Sequence, residues 1–251
     1  MTETQKIPWK RVAIEASAIV VSILIAFSID AWWEDRKDRE EERDYLTSLR
    51  QELIRGLDEV SQREKNHVEI VESHVDLIKQ IQSENRASSE SMYYMFSLLS
   101  RPTAISVPRA VYDDLISSGG SQVIRSDKLR IELALYGATL ASFQIENDSA
   151  WATWEQRIQP YLEGRIPRLN RLILGSFGRN RHIEEAGWEI PFALSTHNVD
   201  FESVLADPAF EDMLAERWLR VQDRLWRIQE LQKIMEEIVG MINTEVDLVE
   251  S

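Results

Sequence analysis

No cysteine occurs anywhere in the 251 residues, and glycine and proline number only nine and seven. The first absence excludes disulfides, thiolate catalysis and cysteine metal sites, although it does not choose a compartment. The second leaves few places for a regular element to break, which favours long helices. Also missing are a Gly-rich phosphate loop, a G-x-S-x-G elbow, a dinucleotide fingerprint and an HExxH pair, so phosphoryl, acyl and hydride transfer have no local signature. Carboxylates abound, but no pair stands out for general acid and base roles. No enzyme, cofactor or metal is expected. Positive charge is also short, with 29 Lys and Arg against 43 Asp and Glu and a net charge of −14. The first 33 residues hold three basic and three acidic side chains, so the acidic excess belongs to the remainder. Such a surface disfavours nucleic acid and adhesion to anionic lipid.

What the chain does have is one long apolar run. Residues 16–29 (ASAIVVSILIAFSI) lack charge, Pro and Gly, with Trp9 before the run and Trp32 and Trp33 after it. A helix between these aromatic anchors spans roughly 36 Å, against about 30 Å for a hydrocarbon core. Residues 12–33 are therefore expected to form one transmembrane helix, after a short tail over 1–11. Two other readings compete. A cleaved signal peptide finds loose support in Lys6, Lys10, Arg11 and the small residues around Ala26-Phe27-Ser28, but no helix breaker follows the core. A buried helix of a soluble domain is the other. On the expected helix, Glu15, Ala18, Ser22, Ala26 and Asp30 share one face, a small-xxx-small surface suited to self-association or docking on another membrane helix. The plainer reading makes Glu15 and Asp30 boundary residues; proton movement through Asp30 is a remote third. Lysine and arginine are nearly balanced across the span, so orientation rests on the basic tail. It gives a signal anchor with an extracytoplasmic C-terminal domain.

Residues 34–44 read as a charged stalk continuous with the first long helix, since nothing between Trp33 and Tyr45 breaks a helix and the charges alternate in sign. Residues 45–251 read as an acidic helical domain. Stripes at steps of three and four predict long helices over 44–84, 127–164 and 208–249. The first stripe includes Leu46, Leu49, Leu53, Leu57, Val60, Val68, Val71, Val75, Ile78 and Ile81. Ser126 is the expected cap of the second helix, and Asp207 with Pro208 opens the third. Short helices are expected at 92–99 and 109–117, the latter stopped by Gly119-Gly120. Residues 166–206, with Pro167, Gly175, Gly178, Gly187 and Pro191, read as an irregular connection. The expected fold is all-α: an N-terminal transmembrane helix running into a long antiparallel bundle of three helices of about 40 residues, with coiled-coil character.

Four histidines remain. His67 and His74, seven residues apart with Glu64 one turn earlier, lie near the apolar stripe and read as a polar layer in a bundle, since two turns separate the imidazoles. His182 and His197 lack ligand spacing. Of the eight tryptophans, Trp151, Trp154, Trp218 and Trp226 fall on predicted helices and are expected to pack in the core. Trp188, within HIEEAGWEIPF, is a candidate partner contact.

The segment EASAIVVSILIAFSIDAWWEDR, with the charged run and YLTSLRQEL after it, resembles the start of an uncharacterised bacterial family of short single-pass membrane proteins with a domain of unknown function. VYDDLISSGGSQVIRSDKLRIELALY is similar to that family's pattern of a short helix, a Ser-Gly turn at Gly119-Gly120, a hook at Ile124 and a new helix through Leu129 and Tyr136. The two segments cover about a fifth of the chain. The resemblance implies a membrane anchor plus a helical domain and supplies no catalytic residues. The family's N-terminal tail is typically more basic.

The expected function is that of a non-enzymatic scaffold or partner-binding accessory in a bacterial inner membrane, acting as a homo-oligomer or on another membrane protein. The alternative is an ectodomain that senses a small molecule and acts through a partner. The short stretch before the span is expected to leave no room for an output domain, which counts against sensing.

Overall fold

The computed structural model describes residues 9–175, 187 and 192–250, and no strand occurs among them. The first element, α1, runs Trp9–Gln82 without interruption over 74 residues. No proline occurs in it, and at 1.5 Å per residue it is about 110 Å long. The apolar run and the first domain helix are thus one rod.

Two short helices follow, α2 (Ser89–Leu99) and α3 (Ala110–Ser117). Ser88 caps α2 by accepting from the Ser91 amide at 3.2 Å. Arg109, at the cap position of α3, makes no side-chain cap bond. Glu52 on α1 does this instead, accepting from the Val111 and Tyr112 amides at 2.7 and 3.0 Å. Behind α3 the chain turns at Gly119, where φ is +77°. A Cβ there would meet no atom within 4 Å, so Gly119→Ala is expected to cost about 1–2 kcal/mol from backbone conformation alone. Thermal denaturation checks this, and an unchanged melting temperature would refute it.

Next, α4 (Asp127–Thr153) starts at the Ser126 cap. It leads into a π turn, Trp154–Ile158, and the short α5, Gln159–Leu162. The helix expected over 127–164 is therefore not uniform. Pro160 has no N–H and its ring crowds the carbonyl four residues back, and the wider turn just before it relieves that clash. The connection read as irregular over 166–206 contains α6 (Arg168–Ile173) and α7 (Phe201–Leu205). Last comes α8, Pro208–Glu250, 43 residues long.

The buried seam of α8 is Phe210, Leu214, Arg217, Val221, Arg224, Ile228, Leu231, Met235, Ile238 and Ile242, with Met213 and Ile234 buried beside it. Its steps of four and three never break, the signature of a heptad seam. On α1 the buried positions Leu46, Leu49, Leu53, Gly56, Val60, His67, Ile70, His74 and Leu77 follow the same rule, with only Arg63 exposed in its slot. The stripe expected from the sequence drifts off this seam after Val60. Val68 is exposed, and Ile70 and Leu77 are the buried residues. The valines beside the seam resemble its continuation because two seam slots hold histidine.

Packing is apolar at both ends and polar between them. One cluster joins Leu46, Leu49, Leu53 and Val60 of α1 to Leu129, Leu133, Tyr136 and Phe143 of α4 and residues 228–242 of α8. The other joins Leu77 to Met92 and Phe96 of α2 and to Phe210, Met213 and Leu214 of α8. Only Ile70, Leu98 and Val221 form a small cluster between. At Gly56 a Cβ would lie 2.7 Å from Met235 Cε, so the missing side chain lets the two long helices meet closely there.

Candidate functional site

Two regions along α1 depart from ordinary core or surface, and each follows from the placement of particular residues on that helix. The first is its apolar part. Helix α1 contains a segment apolar and long enough to cross a membrane, and none of that segment is buried within the chain. Ile19, Phe27 and Trp33 are 61%, 67% and 64% exposed, a large area of apolar surface left uncovered. Glu15, Ala18, Ser22, Ala26 and Asp30 all lie exposed on this helix, within an arc of about 120°. Ser22 donates to the Ala18 carbonyl and Ser28 to the Leu24 carbonyl, both at 2.7 Å. Each hydroxyl is thereby satisfied inside the helix, which lowers its cost in an apolar medium. Trp32 and Trp33 contact each other, and the Arg36 guanidinium lies over the Trp32 ring at 5.8 Å. Trp9 starts the helix; its side chain, like all of Trp188 and His182, lies outside the described residues.

The charged run after Trp33 is not a free stalk. Arg125, in the loop before α4, pairs with Asp35 and reaches Glu42 at 3.7 Å, and its amide donates to Glu42 at 2.7 Å. Hydrogen bonds from Arg39 and Arg125 hold the Asp35 carboxyl below its ordinary range. The helical domain therefore begins two residues beyond Trp33, where the sequence alone suggested a rod standing off the apolar segment. The clasp depends on Arg125, 90 residues away from Asp35 in the chain, and no local pattern announces it.

The second region is the polar waist of α1 and α8. His67 and His74 occupy the α1 seam; Arg217 and Arg224 occupy that of α8. All four are buried, at 5% exposure or less. The two ring nitrogens of His67 lie 2.9 Å from the Arg63 carbonyl and 3.1 Å from the Thr103 carbonyl. His74 Nδ1 lies 2.6 Å from the Ile70 carbonyl, while its Nε2 is buried with no partner among the described residues. Burial, with the nearby Arg217 charge, pushes the His74 pKa down to about 4; His67 is lowered by burial and by Arg224. With that pKa the His74 imidazole is neutral at pH 7. Arg224 donates to Asn147 Oδ1 at 2.7 Å, and Asn147 also bonds both the amide and the carbonyl of Ile105. Arg217 donates to the Arg101 carbonyl, and its Nε is buried without a partner among the described residues. Desolvation pushes its pKa down to about 10.

A cavity of about 120 Å³ adjoins these arginines, between α4, α8 and Thr103. The polar layer expected from His67 and His74 thus has its counterpart in two arginines and an asparagine. The seam spacing on α8 was their one available signal, since arginine on a charged helix ordinarily reads as solvated surface. The tryptophans differ from expectation too: Trp151 and Trp226 are 47% and 55% exposed, and Trp218 lies one position off the seam. Trp154 donates to the Ser100 carbonyl at 2.5 Å. Among the described residues no group of three His, Asp or Glu side chains is placed to hold a metal.

No protein family, curated protein or solved structure matches the chain. Its role must therefore follow from the waist and the bare apolar helix.

Proposed function

We propose that the chain is a single-pass, membrane-anchored helical module without enzymatic activity, which self-associates and holds a partner protein. The observation that carries this reading is the continuity of α1: its apolar part is bare on all sides, while the part after Asp35 is the spine of a packed domain. The bilayer is the solvent that would cover the bare part. Reversed residue order in the core clusters, early α1 with late α8 and late α1 with early α8, supports an antiparallel bundle. Kinship with the bacterial family of single-pass proteins, an inner-membrane location and an extracytoplasmic domain belong to the same proposal.

Support for partner binding comes from α4. Ile131, Leu135 and Ile145 are exposed at 67%, 48% and 72% and lie on one face, opposite the buried Leu133, Tyr136 and Phe143. A helix apolar on two faces usually has two neighbours. For the transmembrane part, crosslinking in membranes is expected to trap a dimer or larger species. Changing Ala18, Ser22 and Ala26 together to Leu is expected to reduce it at least severalfold, because the bulkier side chains hold the helix backbones apart. An unchanged crosslinked species would remove this face from the proposal.

A second reading, a bundle that binds a small molecule and acts through another membrane protein, is favoured by one observation. This is the cavity beside Arg217 and Arg224.

A further inference from the structure

Two guanidinium groups, each at 5% exposure or less, sit at seam positions where an apolar side chain would contribute about 1.5–3 kcal/mol by burial. Among the described residues neither has a carboxylate within ion-pair distance. Arg217 makes one hydrogen bond, to a backbone carbonyl, and Arg224 makes one, to Asn147. Among the described residues the Arg217 Nε is buried with no partner. An uncompensated buried charge is among the costliest features a core can contain. The nearest carboxylates, Glu146 and Asp223, favour the Arg224 charge without pairing with it.

The carboxylates that do line the adjoining cavity are occupied elsewhere. Glu146 and Asp223 both pair with Arg227 at 3.0 Å. Arg220 is held by Glu216 at 3.0 Å and extends toward the Ser149 hydroxyl. Arg217 and Arg224 are left without a paired carboxylate on the cavity wall, Arg224 being offset in part by Glu146 and Asp223 and Arg217 by neither, beside the small residue Ala150. At about 120 Å³ the space lies well below the roughly 300–1,000 Å³ of sites for drug-sized ligands. It suits a group of a few atoms.

We propose that this cavity binds a small oxyanion, a carboxylate, phosphate or sulfate, whose charge completes the waist through the guanidinium groups of Arg217 and Arg224. The planar guanidinium fork matches all three anions, since each presents paired oxygens. A bilayer headgroup is excluded as the source by position. Val221, between the two arginines, packs with Ile70, which lies 37 residues beyond Trp33 and hence about 55 Å along α1 from the apolar segment. The anion comes from solution or from a carboxylate of a soluble molecule. This inference rests on the ligand-binding reading above, and its test reads binding alone.

The test is the melting temperature of the full chain in detergent at constant ionic strength, with chloride replaced stepwise by phosphate, sulfate or acetate. The expected result is a saturable rise of about 3–6 °C with at least one of the three. Sulfate and phosphate also stabilise proteins by exclusion from their surface, but that effect grows without saturating. Arg224→Gln is expected to weaken the saturable effect at least tenfold. Ala150→Glu, which places a carboxylate in the cavity, is expected to raise the melting temperature in chloride and to abolish the response to the anion. If Ala150→Glu does not fold, Arg224→Gln decides. No saturable rise with any of the three anions, or a rise that the variants retain in full, overturns the proposal. An anion that binds without altering the crosslinked species or its copurifying partner supports this site and sinks the sensing reading.

Discussion

Between pH 6.5 and pH 4 the folded chain is expected to lose about 3 kcal/mol of stability through His74 alone. The sign follows from the direction of the shift. In the folded chain the pKa is depressed from 6.5 to about 4, so on acidification the unfolded chain takes up the proton first. The contribution is complete above the unfolded pKa and disappears as pH falls toward the folded one. The cause is local: the ring is fully buried, Nε2 has no partner, and a proton there would face the Arg217 guanidinium. His67, lowered by burial and by Arg224, adds to the loss in the same direction. Among the remaining charges near the waist, Glu69 is tied to Arg101 at 3.6 Å, and Glu146 and Asp223 are tied to Arg227. Asp35, Glu202 and Asp207 have lowered carboxyl pKa values, so their contributions disappear at more acid pH. Urea denaturation at a series of pH values, comparing the wild type with His74→Leu, isolates the effect. Two parallel stability curves over this range would show the account to be wrong.

Replacing Glu52 by Ala is expected to cost about 2–4 kcal/mol, because it strands two amide donors at the start of α3. The carboxylate is 4% exposed and accepts from both Val111 and Tyr112. Arg109, at the cap position, makes no side-chain cap bond, and among the described residues no other side chain caps this helix. The loss extends beyond hydrogen bonding. Tyr112 packs edge-on against Tyr136 and donates to the Leu133 carbonyl at 3.1 Å, so freeing the first turn of α3 loosens its contact with α4. Glu52→Gln retains one acceptor and is expected to recover about half of the loss. Hydrogen exchange gives the local readout: the amides of Val111 and Tyr112 should exchange faster in Glu52→Ala, with those of residues 228–242 changed only to the extent of the global loss. Unchanged protection at 111 and 112 would falsify the capping role.

The two long seams show what a sequence of this kind does and does not disclose. Leu46, Leu49, Leu53 and Val60 are legible because apolar side chains at steps of three and four are what a single buried helix face requires. The same rule fails to the eye where His67 and His74 take the next slots, and the apparent stripe shifts onto Val68, which is exposed. On α8 the nearest large apolar side chains are likewise displaced by one, Trp218 and Leu225 each following a buried arginine. An arginine in a seam is recognised by its slot and not by its chemistry, so Arg217 and Arg224 carry no mark of their own. Contacts between distant segments are beyond reach altogether: Glu52 caps a helix about 60 residues away, and Arg125 clasps Asp35 across 90. No spacing rule connects such partners. The unbroken passage from apolar segment to domain, by contrast, is legible from Trp33 onward, since no residue in 34–44 opposes a helix.

Because α1 has no break between the bare apolar segment and the waist, any tilt imposed at Trp33 carries over to the packed domain as leverage. A lean of about 10° there displaces Ile70, about 55 Å further along, by about 10 Å sideways. Arg125, fastened to Asp35 and Glu42 at the base, leaves little slack to absorb it. Under the proposed anchoring, the head is the long arm of a lever whose fulcrum lies beside the clasp.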